Sequence, residues 1–168
     1  MKISNVVCAS LLAMACGTAA ASEMAVQKQV IERGRYLIST SGCNDCHTPG
    51  YPISGGTLPV NNWLTGASVG FQGPWGTTYP ANLRLSMQNL SEQEWLTKAR
   101  TPMRPPMPWF SLRDMSDADL KAIYHFVRSL GPSGEPAPVY ARPGQSVSTP
   151  YIEFVPKNLP KEAKAAVE

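Results

Sequence analysis

The segment that most constrains this chain is Cys43-Asn44-Asp45-Cys46-His47, in which two cysteines enclose two residues and a histidine follows directly. Two thiols and an imidazole within five residues allow only a few kinds of chemistry, and each kind makes its own demand on the rest of the sequence. The chain has 168 residues with 4 cysteines and 2 histidines, so each demand can be checked.

The N-terminal segment has the composition of an export signal, which decides how many cysteines the mature chain keeps. Lys2 precedes an apolar stretch that ends near Cys16, and Ala19 and Ala21 fit an A-x-A cleavage site. We therefore predict a signal peptide over residues 1–21 and a periplasmic protein, because the apolar stretch is too short to span a bilayer as a helix. An alternative is that Cys16 becomes a lipidated N-terminus.

Cleavage at this site would leave Cys43 and Cys46 as the only cysteines of the mature chain. A structural zinc ion needs four ligands, and the adjacent Cys46 and His47 are awkward partners on one tetrahedral ion. A thioredoxin-like dithiol needs a preceding strand, which the sequence lacks, and a plain disulfide leaves the histidine without a role. The remaining interpretation is c-type haem attachment, in which both thiols add to the vinyl groups and His47 binds the iron.

Three helical patterns accompany this motif. The first covers residues 22–42 and contains Gly34, which indicates a close approach by another helix, since glycine is otherwise unfavourable there. The clearest pattern covers residues 115–131, with a serine cap, one apolar stripe and a terminal glycine; His125 lies off that stripe and is predicted to be exposed. Residues 91–100 begin with a capping box.

These features resemble the class I cytochromes c over the range from Met24 to Leu130. The resemblance rests on the segments GRYLISTSGCNDCHTPG, RPPMPWF and MSDADLKAIYHFVRSL. It implies an all-α fold in which the N- and C-terminal helices cross over one covalently bound haem c, with long loops. The segment GPWGTTYPANL is similar to segments of the cytochrome subunits of periplasmic alcohol and sugar-acid dehydrogenases, which carry several such domains in tandem.

The expected organisation is a cytochrome c domain over residues 22–131 followed by an extended tail over residues 132–168. The tail holds 7 of the 16 prolines, and only its segment PYIEFV has the composition of a strand. We expect the tail to lie across the domain through Tyr151, Ile152 and Phe154.

A methionine is the expected second axial ligand, because a thioether stabilises ferrous iron and suits an electron carrier. Met107 has proline on both sides, which stiffens its backbone, and it follows His47 by 60 residues. We favour Met107, with Met103 of the same loop as the alternative and ordinary core packing as a further one. Met87 and Met115 have sequence contexts that favour packing.

The segment over residues 48–89 shows no helical or strand period, and a loop of this length is uncommon unless it surrounds a ligand. Candidate contacts to the haem propionates are Trp75, Tyr79, Asn82 and Arg84. Packing or solvent exposure is an equally open interpretation for each of them.

Two classes of function follow. The first is a single-electron carrier, without enzymatic activity of its own, between a dehydrogenase and the respiratory chain. Its partner would be a dehydrogenase, an oxidase or another cytochrome, and the protein would be a monomer or part of a complex, with no more than peripheral membrane association. Four cations near the methionine loop would steer an acidic partner if they rim the haem edge: Lys98, Arg100, Arg104 and Arg113.

The second class is a peroxidase-like or gas-binding haem protein with an open distal position. It would need a distal acid–base group, and Arg104 is the nearest option. The formal charge of +3 and the lack of a basic run give no support for nucleic-acid binding.

Overall fold

A computed structural model describes the backbone of residues 4–158 and the side chains of residues 22–158. The predicted signal peptide and the alternative of lipidation at Cys16 lie outside the residues whose side chains are described. Within the described part of the chain, no helix combines the length and apolar character needed to cross a membrane.

Residues 4–158 form six α-helices, one short 3₁₀-helix and three short strands. The helices are α1 (Ser4–Thr40), α2 (Cys43–His47), α3 (Leu83–Gln88), α4 (Glu92–Ala99), α5 (Trp109–Asp114) and α6 (Asp117–Ser129), and the 3₁₀-helix is Val60–Asn62. The strands are β1 (Gly70–Gly73), β2 (Gly76–Thr78) and β3 (Tyr151–Glu153). The predicted helical patterns correspond to the C-terminal part of α1, to α4 and to α6.

Hydrogen bonds at the helix starts explain where α4 and α6 begin. The Ser91 hydroxyl accepts from the Glu94 N–H, and the Glu94 carboxylate accepts from the Ser91 N–H, which completes the predicted capping box. The Ser116 hydroxyl accepts from the Asp119 N–H at the start of α6. His125 lies at the surface of α6, with its Nε2 2.9 Å from a carboxylate oxygen of Glu92.

Helices α1 and α6 meet at Gly34, where the close approach predicted from the sequence is present. A Cβ atom on this residue would lie 2.0 Å from the carbonyl oxygen of Ala122 and 2.7 Å from the Cβ of Phe126. The two backbones therefore touch directly, and no side chain fits between them. Around this contact lies the main core, which includes Ile38, Leu120 and Val127.

A small sheet corrects the expectation of an all-α fold, although the chain is mainly helical. Its strand order is β2-β1-β3, with β1 antiparallel to β2 and parallel to β3. Glycines allow the hairpin: Gly76 has a φ of 96°, and a Cβ there would lie 2.2 Å from the carbonyl oxygen of Ala141. The period-2 signal was missed because the paired strands have only 4 and 3 residues.

The tail contributes β3, so the strand predicted from PYIEFV is confirmed. The ring of Phe154 packs against Phe71 and Trp75, with centroid separations of 5.6 and 6.0 Å. Tyr151 and Ile152 remain half-exposed on this edge strand. The tail is therefore packed on the hairpin from residue 140 to residue 154.

The contact at Gly34 predicts an unusual response to substitution. In an ordinary helix, Gly→Ala stabilises by about 1 kcal/mol, but here the methyl group would collide with the backbone of α6. We expect Gly34→Ala to lower the free energy of unfolding by about 2–3 kcal/mol in denaturant titrations. The control Ser39→Ala, exposed on the same helix, should change it by less than about 0.5 kcal/mol. An unchanged Gly34→Ala midpoint would contradict the close approach.

Candidate haem site

A cavity of about 320 Å³ gathers the residues that the sequence singled out. Cys43, Cys46 and His47 line it from α2, and Met103 and Met107 line it from the segment between α4 and α5. The rest of the lining is mostly apolar and includes Ile38, Phe71, Leu83, Trp95, Leu112 and Ile123. The cavity therefore brings together two segments that are far apart in the sequence.

His47 is held in a single tautomer. Its Nδ1 lies 2.7 Å from the carbonyl oxygen of Ala81. Because a carbonyl only accepts hydrogen bonds, Nδ1 carries the proton and Nε2 keeps the lone pair that a metal needs. Burial lowers the pKa of His47, although the hydrogen bond to Ala81 acts in the opposite direction. The imidazole is therefore neutral at neutral pH, which is its ligating form.

A buried hydrogen-bond network fixes α2 beneath this cavity. The Thr48 hydroxyl donates to the Asn44 side-chain oxygen at 2.7 Å and accepts from the Leu64 N–H at 2.8 Å. The Gly66 N–H donates to the His47 carbonyl at 2.8 Å. Sequence reasoning missed this network; its only signal was two polar residues, Asn44 and Thr48, spaced four apart around the motif.

The environment of the thiols does not favour a reactive dithiol. Burial raises the pKa of Cys43 to about 11, and burial also raises the pKa of Cys46. Both thiols are therefore protonated at neutral pH, whereas redox-active Cys-x-x-Cys pairs have a depressed pKa.

Four methionines line the cavity: Met87, Met103, Met107 and Met115. Met87 is only 1% exposed within α3 and belongs to the core. Met115 ends α5, and its N–H is hydrogen-bonded to Leu112. Met103 and Met107 are both partly buried and come from the segment between α4 and α5.

The structure separates the four residues that were predicted to contact propionates. Tyr79 lines the cavity, and its hydroxyl lies 2.6 Å from that of Thr149. Trp75 is not among the lining residues; its ring packs against Phe154, and its buried Nε1 has no hydrogen-bond partner in the described part of the chain. The predicted set is thus not gathered at one edge.

Asn82 and Arg84 lie outside the cavity lining because backbone carbonyls engage them elsewhere. The Asn82 side chain caps α3 and donates to the carbonyls of Ser133 and Glu135. Arg84 is buried, donates to the carbonyls of Gly131 and Asn61 at 2.7 Å, and also donates to that of Leu130. Arg84 thus satisfies carbonyls at the C-terminal end of α6, where a cation is favourable.

Two of the four predicted rim cations line the cavity, namely Lys98 and Arg104. Arg100 pairs with Asp117, and Arg113 pairs with its neighbour Asp114. None of the described residues that line the cavity is an aspartate or glutamate. The cavity is therefore apolar with a positive margin, which suits a ligand with a flat apolar body and carboxylates.

The residues present fit such a group. Two thiols, a histidine whose Nε2 is available, thioethers and apolar side chains line one space, and this combination is the donor set of a c-type haem protein. The comparisons with known proteins agree. The cytochrome c family model matches residues 31–131, more than half of the chain, so the chain belongs to the cytochrome c family. It therefore binds haem c covalently and has a role in electron transfer.

Two relatives, both at low identity, are named as components of dehydrogenases. The chain is 27% identical over 120 residues to a nicotinate dehydrogenase component of Pseudomonas putida, which covers 65% of this chain and 9% of that protein. It is 28% identical over 140 residues to the gluconate 2-dehydrogenase cytochrome c subunit of Pantoea cypripedii, which covers 73% of this chain and 29% of that protein. The chain thus spans less than a third of either relative. No solved structure gave a significant match.

The position of Arg84 predicts a role in stability. Arg84→Met removes the charged donor from three carbonyls, so we expect the free energy of unfolding to fall by about 3 kcal/mol. The visible spectrum of the folded variant should be unchanged, because Arg84 lies outside the cavity lining. Arg113→Met, at an exposed pair, is the control and should change stability by less than about 0.5 kcal/mol. Equal stability of the two variants would contradict this assignment.

Proposed function

We propose that this protein is a periplasmic monohaem cytochrome c that carries single electrons between a dehydrogenase and the respiratory chain. The observation that carries the proposal is the cavity that Cys43, Cys46, His47 and Met107 line together. In this proposal the two cysteines hold the haem by thioether bonds. When bound, the haem supplies an iron that alternates between the ferric and ferrous states.

His47 and Met107 are the proposed axial ligands. The bond from His47 Nδ1 to Ala81 leaves Nε2 for the iron and fixes the plane of the ring. Met107 is preferred to Met103 because prolines on both sides restrict its backbone, and a restricted backbone reduces the entropy lost in holding a weak thioether bond. Local backbone bonds add to this restriction: the Met107 N–H donates to Arg104 at 3.3 Å, and the Trp109 N–H donates to Met107 at 2.8 Å.

Electron transfer is favoured over haem catalysis by the polar groups around the cavity. A peroxidase-like or gas-binding protein needs a distal acid–base group at an open iron position. Among the described residues, His125 is bonded to Glu92 away from the cavity, and the guanidinium of Arg104 stacks on the ring of Tyr140 at 4.0 Å. With both axial positions filled, the role of the protein is to set the potential and dock partners.

A dehydrogenase is the proposed partner, since both relatives are named as dehydrogenase components. Lys98 and Arg104 line the cavity without a carboxylate among the described lining residues, so this rim would attract an acidic surface. Such attraction raises the association rate and weakens as salt is added.

The axial assignment predicts a spectroscopic result. Met107→Ala should abolish the thioether-to-iron charge-transfer band of the ferric protein and lower its midpoint potential, because the soft ligand is lost. Met103→Ala is the matched control from the same loop and should keep the band. Loss of the band only in Met103→Ala would transfer the assignment to that residue. A wild-type protein without the band that readily binds cyanide would refute the carrier proposal.

The attachment assignment predicts a chemical result. Cys43→Ser combined with Cys46→Ser should yield protein from which denaturation releases all haem, whereas the wild-type polypeptide keeps haem on a denaturing gel. Cys16→Ser is the control: if Cys16 leaves with the signal peptide, haem attachment and partition into the soluble periplasmic fraction should both match the wild type. Release of the protein from membranes only in Cys16→Ser would favour the lipidated alternative.

A further inference from the structure

We propose that Tyr140 is a positioning residue for the methionine loop, which we define as residues 103–108. This inference rests on the proposed ligation by Met107. Tyr140 lies beyond residues 31–131, which the family model matches, yet it lines the cavity. The tail therefore contributes to the wall of the haem site, in addition to covering the surface of the domain.

Tyr140 is itself held firmly on the β1–β2 hairpin. Its hydroxyl donates to the carbonyl of Trp75 at 2.8 Å. The next residue, Ala141, exchanges two backbone hydrogen bonds with Thr77, of 2.8 and 3.0 Å. The absence of a side chain on Gly76 permits this pairing, because a Cβ there would lie 2.2 Å from the Ala141 carbonyl oxygen. The ring thus has a fixed support.

Two non-local polar contacts connect this support to the methionine loop. The guanidinium of Arg104 lies 4.0 Å from the centroid of the Tyr140 ring, and both side chains line the cavity. The Thr78 hydroxyl donates to the Pro105 carbonyl at 2.7 Å. The loop's other hydrogen bonds among the described residues are local backbone bonds, including the one from Met107 to Arg104. The tail and the hairpin therefore hold the loop three and two residues before Met107.

The remainder of the tail keeps Tyr140 in place. Strand β3 pairs with β1, the Gly70 N–H donates to the Pro150 carbonyl at 2.8 Å, and the Phe154 N–H donates to the Gln72 carbonyl at 2.7 Å. The segment between Ala141 and β3 is thus fixed at both ends. A cation stacked on a tyrosine contributes about 0.5–2 kcal/mol. A contribution of this size matters for a thioether ligand, which hydroxide or cyanide can displace.

The test uses the haem-containing, full-length protein and two measurements of ligation. One is the pH at which the ferric thioether-to-iron band disappears, and the other is the rate of cyanide binding. Tyr140→Leu should lower that pH and accelerate cyanide binding by about threefold to thirtyfold, the factor expected for loss of one cation–π contact. Tyr140→Phe keeps the ring and should restore most of the wild-type behaviour. Denaturant unfolding, measured in parallel, corrects for any change in global stability.

Tyr36→Leu is the matched control. Tyr36 also stacks with an arginine, Arg33, at 5.5 Å, but it lies outside the cavity lining, so its loss should leave both measurements unchanged. Arg104→Gln removes the other partner of the Tyr140 contact and should reproduce the Tyr140→Leu effect. The double variant should then add little to either single one.

Each outcome decides the question. Wild-type values for both ligation measurements in Tyr140→Leu, or equal effects in Tyr36→Leu, would overturn the positioning role and leave the proposed function intact. If Tyr140→Leu does not fold, wild-type values in Arg104→Gln would overturn it equally. A wild-type protein that lacks the band would refute the proposed function and this inference together.

Discussion

The contact between α1 and α6 at Gly34 is the constraint on which the rest of the structure depends. The two helix backbones touch there, so the position of α1 is fixed relative to the core. Helix α1 ends at Thr40, and α2 begins three residues later at Cys43, after a left-handed Gly42. Because this connection is so short, the contact at Gly34 also determines where the two cysteines and His47 can lie.

Backbone carbonyls, more than acidic side chains, satisfy the polar residues around the site. The imidazole of His47 uses Ala81, and the buried guanidinium of Arg84 uses the C-terminal end of α6 together with Asn61. These bonds leave the cavity margin without negative charge among the described lining residues. An iron centre in such surroundings keeps its ligands neutral, and the positive margin remains available for carboxylates or for an acidic partner.

The hairpin and the tail together form a second support, on the side of the cavity where the methionine loop lies. Phe71, Thr78, Tyr79 and Tyr140 all line the cavity, and they come from two segments that are paired through β1 and β3. The family match ends at residue 131, so this support is an addition to the matched segment. It explains why a proline-rich tail with little internal structure is ordered as far as β3: it pairs with a hairpin that needs it to be covered.

Local sequence information determined the attachment motif, the caps of α4 and α6, and the close approach at Gly34, because each is encoded within a few residues. Tertiary structure alone decided the roles of Asn82 and Arg84. Their partners lie 23 to 53 residues away, and the sequence contains no signal for carbonyls that need a donor. The same reason explains why the sheet was missed, since β1 and β2 are too short for a period and β3 joins them only through long-range pairing.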